Sequence, residues 1–152
     1  MRPHVDGLAR RGIEAVALDL PKGRAERAMH RFVDAAGDTL GATAIGGHSF
    51  GGRVASMVAA ENQVAALVLL SYPLHRPGHP EELRVDHWAG LRDRRVLLLS
   101  GEADQFARID LLRAEVARRL PDAQLHTYAR VGHGLGPVLD DALDRIAAFL
   151  RT

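Results

Sequence analysis

The sequence predicts an α/β fold, a mostly parallel sheet of about five strands with helices on both faces. Three observations predict it. Helical and strand periodicities alternate along the chain in the order α, β, α, β, α, β, loop, β, α, β, α. Residues 64–71 read as a strand that is continuously apolar from 64 to 70, as in a strand covered on both faces. The 152 residues are 47% hydrophobic and 26% charged, which suits one globular core, and no polar linker or repeat divides them. Residues 1–152 are therefore expected to form a single domain.

Each element has its own signal. Residues 3–11 look like the end of a helix stopped by Gly12, and residues 13–20 (IEAVALDL) read as a mostly buried strand closed by Pro21. From residue 25 to 40, Ala25, Ala28, Met29, Phe32, Val33, Ala36 and Leu40 recur at spacings of three and four, which predicts one amphipathic helix. Residues 42–47 form a short strand, 50–61 a helix and 64–71 the apolar strand. Pro73, Pro77, Gly78, Pro80 and Gly90 make residues 72–92 an irregular excursion with at most one helical turn. A strand at 95–100, a helix at 106–120, a strand at 123–129 and a helix at 138–150 complete the chain.

Several function classes are excluded. Twenty basic residues against nineteen acidic ones leave +1, and Lys22 is the single lysine among arginines that alternate with Asp and Glu. No basic stripe forms, so nucleic acid is not an expected partner. With no cysteine there is no thiolate metal site or Cys nucleophile. His4, His30, His79, His87 and His126 lack metal-ligand spacing, so neither a metal nor a cofactor is expected. The longest apolar run is too short to cross a bilayer, residues 1–6 open no signal peptide, and the expected compartment is the cytoplasm.

One stretch carries chemistry. Gly46-Gly47-His48-Ser49-Phe50-Gly51-Gly52 lies between a strand and a helix and contains Gly47-x-Ser49-x-Gly51. A serine held in a sharp strand-to-helix turn points its hydroxyl outward, and the flanking glycines let strand and helix approach closely enough for that turn to close. A hydroxyl is a weak nucleophile without a base, so the pattern needs a histidine and an orienting carboxylate downstream. Asp104 follows the strand at 95–100, with Glu102 the rival acid. His133 follows the strand at 123–129, between Gly132 and Gly134. Both positions fall at the carboxyl edge of the sheet. His48 is expected to point away from the nucleophile. Tyr72, Leu74, His75 and Trp88 lie in the excursion, where they would line an acyl pocket as substrate-binding residues or form a satellite core under the loop.

Residues 46–60 (GGHSFGGRVASMVAA), with Ser71-Tyr72-Pro73-Leu74-His75 and Leu83-Arg84-Val85, resemble the small α/β-hydrolases. The likeness is greatest to the dienelactone-hydrolase-like branch that carries serine, and it runs from about residue 3 to 150. It implies that Ser49 is nucleophile, His133 general base and then acid, Asp104 the residue orienting His133, and the Phe50 backbone N–H an oxyanion donor. The implied substrate is a small carboxylic ester or thioester, cleaved through an acyl-enzyme.

The resemblance also implies a chain without the first three strands of that fold and without the loop that supplies a second oxyanion donor. The third strand would lie between residues 13–20 and 42–47, so a gap is expected there. Either the first strand slides across to pair or the sheet is left split, and an open edge predicts self-association. The competing class is a non-catalytic remnant acting as an interaction module, because losing one oxyanion donor costs about 10² to 10³ in kcat.

Overall fold

The computed structural model describes residues 1–152. Four segments form the strands β1 (Ala44–His48), β2 (Ala66–Leu70), β3 (Val96–Gly101) and β4 (Gln124–Tyr128). They pair in parallel in the order β1-β2-β3-β4. Five helices accompany them: α1 (Arg2–Ala9), α2 (Met29–Ala36), α3 (Phe50–Glu61), α4 (Ile109–Arg119) and α5 (Leu139–Arg151).

The unbroken apolar run of β2 is explained by what covers it. Leu67 and Leu69 join one core with Phe32 of α2, Val54 and Val58 of α3, and Leu112 and Val116 of α4. Ala66, Val68 and Leu70 join a second core with Leu143, Ile146 and Phe149 of α5, and Leu8 of α1 packs against it. Side chains alternate across a strand, so only an all-apolar sequence satisfies both faces, at about 1.5–3 kcal/mol for each large side chain buried. The excursion after β2 is irregular except for one 3-10 segment, Asp86–Leu91, as the sequence predicts.

Two expectations are corrected. The helix predicted over residues 25–40 is a 3-10 turn (Ala25–Ala28), then α2, then a second 3-10 segment (Gly37–Ala42), with α2 capped at Gly37. The strand predicted at residues 13–20 is not a strand, and the sheet has four strands where five were expected. Val16 is 81% exposed, and residues 14–20 make no backbone–backbone hydrogen bond. Apolar composition fits a chain to a sheet, but a strand exists only where a neighbour takes its N–H and C=O groups. The near side of β1 has no such neighbour to offer, because a cavity of about 730 Å³ separates the two segments. Neither outcome expected for the gap is observed: residues 13–20 do not slide across to pair with β1, and they form no separate piece of sheet. The cavity is walled by Phe32 and Ala36 on one face, Leu8 and Ile146 on the other, and Ile45 of β1. No helix is long and apolar enough to cross a membrane.

Candidate active site

The carboxyl ends of β1, β3 and β4 bring three side chains together. Ser49 follows β1 and caps α3 with φ 52° and ψ −117°, a sparsely populated backbone conformation of the kind stored at functional turns. Its own N–H is fixed to the Leu70 carbonyl at the end of β2 (2.8 Å). Glycine is required beside it, since a Cβ on Gly47 would stand 2.5 Å from the Gly51 carbonyl carbon. As the first residue of α3, Phe50 has a backbone N–H without an intrahelical acceptor.

Ser49 Oγ lies 2.7 Å from His133 Nε2, and His133 Nδ1 lies 2.8 Å from Asp104 Oδ2. A carboxylate accepts, so Nδ1 carries the proton and Nε2 accepts from the Ser49 hydroxyl. The Asp104 side chain is fully buried, while that of His133 is a quarter exposed. Asp104 Oδ1 accepts from the Phe106 N–H (2.8 Å), so both carboxylate oxygens are engaged and the group has one orientation. Such a chain of contacts lets an imidazole take a hydroxyl proton while the carboxylate holds its tautomer. Gly101, at the end of β3, makes the approach of the third element possible: a Cβ there would run into the Val131 and Gly132 carbonyls.

Other residues fall elsewhere. The Glu102 carboxylate accepts from Thr127 Oγ1 (2.7 Å) and pairs with Arg113 (3.0 Å). His48 Nε2–H donates to the His133 backbone carbonyl (3.0 Å), which ties the His133 loop to β1. Tyr72, Leu74, His75 and Trp88 are all buried, at most 3% exposed, and none of them lines the cavity. Tyr72 Oη donates to the Arg84 carbonyl (2.7 Å), and its ring tilts against Trp88 at 5.2 Å. Of the two roles expected for these four residues, they take that of a packed core, because the excursion folds down onto α3 and closes over them.

Sequence reasoning does not single out Phe106, whose ring centroid lies 4.4 Å from that of His133 and whose N–H holds Asp104. A signal exists for it: an Asp two residues before a backbone N–H that it can cap is a recurrent turn motif.

The sequence pattern of the alpha/beta hydrolase domain matches residues 21–147. The chain belongs to the alpha/beta hydrolase family. Solved structures agree on the fold. An esterase from Pyrococcus furiosus superposes with a TM-score of 0.76 at 14% identity, over 99% of this chain and 75% of that one. The esterase domain of a Rhodothermus marinus protein gives 0.69 at 19%, covering 99% and 79%. A predicted CIB-like hydrolase from Thermoplasma acidophilum gives 0.67 at 17%, covering 91% and 65%, so this chain spans about two thirds of that protein's length.

Proposed function

We propose that this alpha/beta hydrolase is a serine hydrolase that cleaves a small carboxylic ester or thioester through an acyl-enzyme. The observation that carries the reading is the pair of contacts at 2.7 and 2.8 Å linking Ser49, His133 and Asp104. Ser49 Oγ attacks the substrate carbonyl carbon as His133 Nε2 takes its proton, and the negative charge on the carbonyl oxygen is met by the Phe50 N–H. Collapse breaks the C–O or C–S bond, and Nε2 returns the proton to the departing alkoxide or thiolate. Water then attacks the acyl carbon with His133 again as base, and Ser49 leaves with the proton. Asp104 keeps Nδ1 protonated throughout and offsets the charge on the imidazolium. Within the family, the motifs around Ser49 and at residues 71–75 favour the dienelactone-hydrolase-like serine branch. Self-association through the outer edge of β1 belongs to the same proposal, since no strand pairs there.

The test is hydrolysis of p-nitrophenyl butyrate together with labelling by a fluorophosphonate. The parent chain is expected to hydrolyse the ester slowly and to take up label at Ser49, and Ser49→Ala is expected to lose both. Hydrolysis by Ser49→Ala at the parent's rate would overturn the reading, and a parent that neither hydrolyses nor labels would favour the non-catalytic class.

A further inference from the structure

His75 is an imidazole buried to 3% exposure in the loop after β2, and it is fully hydrogen-bonded. Its Nδ1 lies 2.8 Å from the Arg76 carbonyl, and its Nε2 lies 3.0 Å from the Arg108 backbone nitrogen. A carbonyl only accepts and a backbone N–H only donates, so one neutral tautomer fits: Nδ1–H donates to Arg76 and bare Nε2 accepts from Arg108. The His75 backbone N–H donates in turn to the Phe106 carbonyl (3.0 Å). One residue thus grips the segment from Phe106 to Arg108 at both ends.

That segment closes the turn on which Asp104 sits. The Phe106 N–H donates to Asp104 Oδ1 (2.8 Å) and the Ala107 N–H donates to the Asp104 backbone carbonyl (3.2 Å). The Phe106 ring also packs against the His133 ring. We infer that His75 is a positioning residue, whose side chain fixes the turn at 106–108 and through it the orientation of Asp104 against His133. A space-filling role alone would need only bulk, as Leu74 supplies next door; here an apolar side chain would take from the Arg108 N–H and the Arg76 carbonyl the part-buried partner that joins the two loops. The catalytic consequence rests on the serine-hydrolase reading above, whereas the geometric consequence does not.

The test compares the parent with His75→Leu and His75→Gln, the latter chosen because a glutamine Oε1 accepts from the Arg108 N–H much as Nε2 does. Two quantities are read: kcat and KM for p-nitrophenyl butyrate, and the far-downfield NMR signal of the His133 Nδ1–H held by Asp104. His75→Leu is expected to lower kcat about tenfold at unchanged KM, as slight misplacement of a catalytic group does, and to lose the ring-proton signal by exchange with water. His75→Gln is expected to restore the signal and most of kcat. If His75→Leu does not fold, His75→Asn takes its place, since its shorter side chain reaches the Arg76 carbonyl but not Arg108. An unchanged ring proton in the Leu or Asn variant, or an equal loss in the Gln variant, would overturn the proposal. Failure of the serine-hydrolase reading would appear separately, as hydrolysis that survives Ser49→Ala, and the ring-proton comparison would still judge His75.

Discussion

The two edges of the region around β1 have similar composition and opposite outcomes. At its carboxyl end and on its β2 side, the backbone runs into Ser49, whose N–H is bonded to β2, and the His133 loop is tied both to β1 and to the Asp104 turn. On its far side, residues 13–20 have an equally strand-like sequence but no partner, and they share with β1 the lining of a cavity of about 730 Å³. Apolar patterning therefore selects which face a segment buries, while order comes from the hydrogen bonds of a neighbour.

The largest effect is expected at the ordered edge. Asp104→Asn keeps the shape of the buried acid but no longer dictates the His133 tautomer, so ester hydrolysis is expected to fall by about 10³ to 10⁴, measured as kcat on p-nitrophenyl butyrate. Amide hydrogen exchange contrasts the two regions directly. Amides of β2, which bond to β1 and β3, are expected to open only with global unfolding, and those of residues 14–20 to exchange at nearly the rate of unstructured chain. Equal protection in the two segments would erase the contrast between them.

Smaller effects follow. Gly47→Ala pushes a Cβ into the Gly51 backbone and should cost about 1–3 kcal/mol in a urea titration, the usual range for overpacking. The open edge predicts association, so sedimentation velocity should show species larger than one chain that grow with concentration. Ala44→Lys, at an exposed position on that edge, should return the protein to a single small species.

The weakest effect is on pH dependence. The His87 Nε2–H donates to Ser56 Oγ (2.7 Å), whose hydroxyl donates to the Arg53 carbonyl (2.6 Å). Burial, helped by Arg53, lowers the His87 pKa from its ordinary 6.5 to about 4. Because the folded protein disfavours the charged ring, the contribution of His87 is fully present above pH 6.5 and is lost as pH falls towards 4. Urea midpoints should therefore drop over that window in the parent, and less steeply in His87→Gln.

Much of the site is legible in the sequence. Ser49, Asp104 and His133 can be placed at one sheet edge because each follows a strand in a parallel array, where chain order alone fixes the edge. The roles of His48 and His75 are not legible, since each depends on a hydrogen bond between segments distant in sequence, such as the 33 residues from His75 to Arg108. Tyr72 and Trp88 have two readings that composition cannot separate; how the excursion folds over α3 decides between them.

Periodicity, and glycine spacing within a few residues, suffice to dictate the alternation of strands and helices, the both-sided burial of β2, and the strained serine turn. Only the folded chain settles that residues 13–20 carry no ladder, that His75 lies in the core and grips the Asp104 turn, and that Asp104 has one orientation. The physical reason is the same in each case: local sequence sets which groups need partners, and tertiary packing determines which partners come within about 3 Å of them.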